Sequence, residues 1–167
     1  MKRIISFFCV MIVSMCVSSV YADNAEADYH VVPLPESIKI SGGKPFILNA
    51  SSDIVYAHGD SLLKRNAIFL AEYVKKSVGL SLVVQSHSLK SDGNIFLRID
   101  KKINGDEAYK IEIDKHNIIV SGKTANGVFY GIQTLRKSLP IIQNAENVVM
   151  PAAIISDAPR FGYRGMM

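Results

Sequence analysis

Side chains able to do chemistry are scattered along this chain rather than gathered. Ser61-Leu62-Leu63-Lys64 has the Ser-x-x-Lys spacing in which a lysine one helical turn on can activate a serine hydroxyl. No Lys-Thr-Gly partner accompanies it, since Lys123-Thr124 is followed by Ala125, and a serine at a helix start is common for capping reasons alone. Ser121-Gly122-Lys123-Thr124 imitates the end of a phosphate-binding loop. The full pattern needs glycine where Asn117 stands, and Ile118-Ile119-Val120 reads as strand, so no loop is left to cradle phosphate. His30, His58, His87 and His116 lie about thirty residues apart, without the spacing that puts two imidazoles on one metal. They read as solvated turn residues, and neither a metal nor a cofactor is expected. Asp106-Glu107 is the one acidic pair of this kind and follows Asn104-Gly105, a turn signal, so a solvated loop accounts for it. Asn49-Ala50-Ser51 fits a glycosylation acceptor, which has meaning only in a host that glycosylates.

The elements that would position these groups are bounded by length and composition. At 167 residues the chain suffices for one domain with a core. It is too short for that domain plus a barrel of roughly 250 residues. With 49% hydrophobic and 20% charged residues the composition is that of a globular protein. Met1-Lys2-Arg3 precedes an uncharged run from Ile4 to Ala22 that closes on Val20-Tyr21-Ala22, the small-residue pattern of a signal peptidase site, so residues 1–22 are expected to be a signal peptide. An uncleaved anchor and a lipoprotein linked through Cys16 are the alternatives. Both cysteines, Cys9 and Cys16, fall inside that segment, leaving the mature chain without thiol chemistry. Of the 19 Lys and Arg, loss of Lys2 and Arg3 leaves 17 against 15 Asp and Glu. No basic run is interleaved with aromatics, so nucleic acid is not an expected partner, and no membrane span is expected after signal removal.

In the mature chain Val31-Val32-Pro33-Leu34-Pro35 is forced extended and should wrap a surface. Pro45–Asn49 and Ile54–Tyr56 read as edge strands separated by the Ser51-Ser52-Asp53 turn. Leu63, Ala67, Leu70, Val74 and Val78 share one helical face, with Asp60 as N-cap, Lys75 and Lys76 in the last turn, and Gly79 as the left-handed stop. Strands are expected at 80–84, 94–100, 109–113 and 117–121, the last two forming a hairpin across Asp114–Asn117. A second helix begins near Thr124, buries Val128, Ile132, Leu135 and Leu139, and stops at Pro140. Its glycines, Gly127 and Gly131, cost helix stability, about 1 kcal/mol each, which predicts a backbone that must approach its neighbour closely. The pattern is α+β: a mainly antiparallel sheet with two helices packed on one face.

Two segments carry a family resemblance. Gly127-Val128-Phe129-Tyr130-Gly131-Ile132-Gln133-Thr134-Leu135-Arg136 resembles a helix of the N-terminal domain of family 20 glycoside hydrolases, the exo-acting β-N-acetylhexosaminidases, with Lys137 where glutamine is usual. Asp157-Ala158-Pro159-Arg160-Phe161-Gly162-Tyr163-Arg164-Gly165 resembles the stretch opening their catalytic (β/α)8 barrel. Pro33-Leu34-Pro35 is similar to the family's entry, so the resemblance covers about residues 30 to 167. It implies a non-catalytic N-terminal domain over 28–150, then 151–167 as a linker and the truncated first strand of the barrel, an exposed and unpaired tail from about Pro151. Arg164 is implied as the residue that would hold sugar hydroxyls in the −1 pocket, a task suited to the donor fork of a guanidinium. The family cleaves terminal β-linked N-acetylhexosamine by substrate-assisted catalysis, with an Asp orienting the acetamido group and a neighbouring Glu protonating the leaving oxygen. Both would lie beyond Met167. The implied partners are therefore β-linked N-acetylhexosamine glycans, reached through a barrel, and a complementary barrel fragment. The implied function is that of the N-terminal portion of an exported hexosaminidase, inactive alone. The alternative is a stand-alone secreted module binding carbohydrate or protein, against which stands the absence of tryptophan.

Overall fold

The computed structural model describes residues 25–159. In chain order the elements are β1 (Ala25–Glu26), β2 (Ser37–Ile40), β3 (Phe46–Asn49), β4 (Asp53–Tyr56), α1 (Ser61–Val78), β5 (Val83–Gln85), β6 (Asn94–Ile99), β7 (Tyr109–Ile113), β8 (Asn117–Gly122), α2 (Ala125–Ser138), β9 (Asn147–Met150) and β10 (Ala153–Asp157). Seven strands form one sheet in the order β2-β10-β7-β8-β6-β4-β5, and β1-β9-β3 form a second, smaller one. The class is α+β, with both helices against the same face of the large sheet.

Both helices begin and end where local chemistry requires. The Asp60 carboxylate accepts the amides of Leu62 and Leu63 at 3.0 and 2.9 Å, satisfying two of the donors a helix start leaves unpaired. Gly79 closes α1 at φ 82°, its amide bonded to the Lys75 carbonyl, a left-handed conformation that costs a side-chain-bearing residue and not glycine. Thr124 caps α2 through its hydroxyl. Leu139 turns extended at its far end, as the residue before a proline must. Every residue on the two predicted apolar faces is buried, Leu63, Ala67, Leu70, Val74 and Val78 on α1 and Val128, Ile132, Leu135 and Leu139 on α2. Each leucine-sized side chain so buried contributes about 2 kcal/mol.

The register assembles the opposing layer row by row. Ile54 pairs Ile95, Ile95 pairs Ile118, Ile118 pairs Ile113, and Ile113 pairs Ala153. Partners across a ladder share a face, so these side chains form one apolar row under the helices. The next row runs through Leu97, Val120, Ile111 and Ile155, all buried. A third runs through Ile99, Gly122, Tyr109 and Asp157. At that row α2 meets the sheet backbone to backbone. A Cβ on Gly127 would lie 2.4 Å from the Ala108 carbonyl oxygen, and one on Gly122 would lie 2.4 Å from the Val128 nitrogen. The close approach expected of Gly127 and Gly131 is therefore what the fold contains.

Three expectations are corrected. Ile54–Tyr56 is no edge strand, since β4 lies between β6 and β5 and pairs parallel with both; β3 does stand at an edge of the small sheet. Such short apolar runs carry no information about whether one or both sides are paired. The stretch beyond Pro151 is no exposed linker: β10 sits between β2 and β7, antiparallel to each, with Ala153 and Ile155 buried. Pro151 marks the break between β9 and β10, and the inward Ala153 and Ile155 flanking outward Ile154 are a period-two strand that a linker reading passes over. The strand predicted at 80–84 begins at Val83, with Leu80 buried ahead of it. Antiparallel ladders hold the slightly larger share of registered pairs, including the predicted hairpin of β7 and β8. The parallel run β5-β4-β6-β8 was not foreseen.

Candidate functional site

One depression lies where the third row of the sheet meets α2. It has a volume of about 690 Å³ and is walled by Val31, Pro33 and Leu34 of the entry segment, by Tyr130, Gln133, Arg136 and Lys137 of α2, and by Asp157, Ala158 and Pro159 at the end of β10. The register carries Asp157 onto the helix-covered face beside Tyr109, and its carboxylate accepts the Glu36 amide at 3.3 Å. The floor is polar but satisfied: the Tyr109 hydroxyl and the Thr134 hydroxyl share a hydrogen bond of 2.5 Å. Burial pushes the Tyr109 phenol up to about 12, against the opposing pull of that bond. The rim is fixed by Lys137, whose ammonium donates to the Val32 carbonyl, which belongs to the cis Val32–Pro33 peptide bond.

A second depression of about 520 Å³ adjoins the first at Tyr130 and runs along the outer side of the helix pair, between Leu62, Arg65 and Phe69 of α1 and Phe129 of α2. The Phe69 and Phe129 rings stand 5.6 Å apart, and those of Phe129 and Tyr130 stand 6.1 Å apart. Arg136 closes this aromatic seam, its guanidinium carbon 4.7 Å from the Tyr73 ring centre and 6.0 Å from that of Phe69. Its Nε is buried and has no acceptor among the described residues. Neither depression was anticipated from the sequence, although the Phe129-Tyr130 pair inside the glycine-rich helix was its visible signal.

The residues first singled out for chemistry are not brought together. Among the described residues no three His, Cys, Asp or Glu side chains converge on a point that could hold a metal, and none of their helices is long and apolar enough to cross a membrane. All four histidines are exposed. His30 pairs with Asp28 at 2.9 Å and His116 with Asp92 at 3.0 Å, and the His30 amide and ring hold the Asp28 carboxyl below its usual range. Asp106 bonds Lys123 at 2.9 Å, which lowers its pKa, so the acidic dipeptide and the Gly-Lys-Thr sequence hold each other as turn contacts. Ser61 is the first residue of α1 and exposed. The Asn49 side chain is turned onto the amide and hydroxyl of Ser51. A buried carboxylate does occur at Asp53, held by Lys90 at 2.8 Å and Gln85 at 2.9 Å, a satisfied strand-end cluster. Arg164, the residue expected to touch sugar, lies outside the described residues, as do the predicted signal segment and the Arg160–Gly165 part of the barrel-entry motif.

The comparisons agree with the geometry of this scaffold. The family model described as glycosyl hydrolase family 20, domain 2, matches residues 28–158, ending one residue after β10. A β-hexosaminidase of Porphyromonas gingivalis is 29% identical over 179 residues, covering 100% of this chain and 23% of that protein. A β-N-acetylhexosaminidase of Cellulomonas fimi is 24% identical over 83% of this chain and 28% of its own length. Among solved structures, the family 20 β-N-acetylhexosaminidase of Streptomyces coelicolor A3(2) superposes with a TM-score of 0.72 at 27% identity, over 84% of this chain and 29% of that one. The Streptomyces plicatus N-acetyl-β-hexosaminidase, solved with Thio-NAglucal, gives 0.70 at 26%, over 81% and 27%. The chain thus spans about a quarter of the length of the relatives it matches. It belongs to glycosyl hydrolase family 20, and what it carries is that family's domain 2.

Proposed function

We propose that this chain is the N-terminal portion of an exported exo-β-N-acetylhexosaminidase, a scaffold domain that supports a catalytic barrel and does not itself cleave sugar. The observation that carries the reading is the match of domain 2 over residues 28–158, with the barrel-entry motif starting at Asp157, the last residue of β10. The relatives named as β-hexosaminidases are from about three to more than four times as long as this chain. Within the reading, Arg164 contacts hydroxyls of a terminal β-linked N-acetylhexosamine, and the Asp and Glu of substrate-assisted hydrolysis come from the barrel. Residues 1–22 direct export.

The test is the coding sequence downstream of the Met167 codon in all three frames, together with an assay of the purified 167-residue protein. A barrel with an adjacent Asp-Glu pair, and no release of p-nitrophenol from the β-GlcNAc conjugate by this chain alone, are the expected results. Turnover by the isolated chain refutes the non-catalytic assignment, and the absence of a barrel in every frame refutes the enzyme-portion reading. A stand-alone binding module is the second reading, favoured by the Phe69, Phe129 and Tyr130 ring cluster beside a groove. Binding of chitin oligomers without hydrolysis would establish it.

A further inference from the structure

The sheet face turned away from the helices carries a row of polar side chains that the fold itself leaves unused. Because successive residues of a strand point to opposite faces, the chain neighbours of the buried Leu97, Ile111, Val120 and Ile155 lie on this outer side. The register aligns them: Ser37 stands opposite Ser156, Ser156 opposite Lys110, Lys110 opposite Ser121, and Ser121 opposite Arg98. Ser121 is only 7% exposed, and its hydroxyl, like those of Ser37 and Ser156, has no hydrogen-bond partner among the described residues. A buried hydroxyl in that position costs free energy until a ligand meets it. Lys110 and Arg98 flank it, two strand spacings or roughly 10 Å apart.

Both cations are accessible to an anion. Lys110 pairs with Glu112 at 2.7 Å, but the two side chains are 42% and 43% exposed, and an ion pair so open to water contributes little, so Lys110 can share its charge with an incoming group. The guanidinium carbon of Arg98 lies 4.6 Å from the centre of the Phe96 ring. That ring supports the flat side of the fork, while its N–H donors have no acceptor among the described residues. In the next outward row Lys39 stands opposite Ile154, Ile154 opposite Glu112, Glu112 opposite Ile119, and Ile119 opposite Phe96. Across the two rows Glu112 is thus the one acid beside Lys39, Lys110 and Arg98. We propose that this row is a binding strip for an acidic polysaccharide with a carboxylate on every second sugar, one carboxylate held by Arg98, the next by Lys110, and sugar hydroxyls bonded to Ser121 and Ser156. The gap between the cations is close to the length of a disaccharide, and a guanidinium fork takes a carboxylate through two parallel hydrogen bonds. The strip lies on the face away from both helices, so it goes beyond the scaffold reading and does not rest on it.

The test titrates the full 167-residue chain with hyaluronan oligosaccharides, whose carboxylates fall on alternate sugars, and measures binding by calorimetry at low and high salt. Binding that weakens as salt rises is expected. Arg98→Gln and Lys110→Gln should each weaken it about tenfold, Ser121→Ala roughly fivefold, and Lys110→Arg, which keeps the charge, should restore most of what Lys110→Gln loses. Lys76→Gln, an exposed charge near the end of α1 on the other side of the sheet, should change it by less than about twofold. Thermal melts of each variant separate lost binding from lost folding. Chitin oligosaccharides, which have similar rings and no charge, should show no binding that Arg98→Gln or Lys110→Gln alters. The inference is overturned if hyaluronan does not bind, if Lys76→Gln weakens binding as much as Arg98→Gln, or if the folded Arg98 and Lys110 variants bind as the parent does. It is overturned equally if a single-stranded oligonucleotide binds as tightly through the same residues, since the strip would then be a general polyanion surface. None of these outcomes touches the scaffold reading, which the downstream coding sequence decides.

Discussion

Replacing Gly127 with alanine sets two well-defined effects against each other. Alanine is the better helix former, worth about 1 kcal/mol in a helix interior, so an exposed site would gain from the change. At Gly127 the new methyl would sit 2.4 Å from the carbonyl oxygen of Ala108, where an ordinary Cβ contact begins at 3.4 Å. The missing ångström cannot come from a side-chain rotation, because the obstacle is backbone. Ala108 is buried, leads directly into β7, and is tied by its amide to the Gly105 carbonyl at 3.2 Å. Helix α2 must lift from the sheet, loosening Val128 and Ile132 beneath it. Overpacking of this kind costs roughly 1–3 kcal/mol, and the rigid obstacle places Gly127→Ala at the upper end, for a net loss of about 2 kcal/mol once the helical gain is subtracted. Urea unfolding followed by far-UV circular dichroism should show the midpoint falling by about 1 M, and the melting temperature by roughly 6–10 °C. Gly42, where an added Cβ meets nothing within 4 Å, is the control, and its alanine variant should change stability by less than about 0.5 kcal/mol. A Gly127→Ala protein as stable as the parent would refute the claim that helix and sheet touch through their backbones.

Two further outcomes follow from the same geometry. Asp60→Ala removes the acceptor of the Leu62 and Leu63 amides and should lower stability by about 1 kcal/mol in the same urea assay. Alkaline stability should depend on Tyr109. Its folded pKa of about 12 exceeds the unfolded value near 10, so its contribution is fully present below about pH 10 and is lost as the pH rises to about 12. Burial raises the Tyr29 phenol as well. Phenolate absorbance should therefore show a late-titrating group that Tyr109→Phe removes, and that variant should flatten the alkaline fall in stability.

The helices were legible in the sequence because everything that specifies them is local. Asp60, Gly79, Thr124 and Pro140 bound them, and a period of three to four residues marks the buried face. The β7–β8 hairpin was legible for the same reason, with its turn between the strands. Strand pairing over long separations left no such trace. Ile54 and Ile95 are both short-run isoleucines, and nothing near either declares that they are parallel neighbours. The ending of β10 was obscured by Pro151 and by the strength of the motif beginning at Asp157, which drew the domain boundary too early. The aromatic seam was only partly visible: Phe129 and Tyr130 stand together in the chain, whereas Phe69, Tyr73 and Arg136 join them only when α1 lies beside α2. Family membership was legible because the Gly127–Arg136 run and the segment beginning at Asp157 are contiguous stretches of sequence, readable without knowing how distant strands pair.

The position of β10 bears on how such a protein is made. Strand β2 has β10 as its partner in the large sheet, with Ile40 against Ala153 and Ser37 against Ser156, so an early strand waits for one more than a hundred residues downstream. During synthesis, Ser37–Ile40 emerges with its neighbour still untranslated, and the sheet cannot reach its final width until Ala153–Asp157 have left the ribosome. Pairing over so long a separation also slows folding. A chain cut after Met150 would lack β10 and leave β2 without its partner, and a nascent chain that stalls there would leave β7, with Ile111 and Ile113, along an open edge, a surface that invites aggregation.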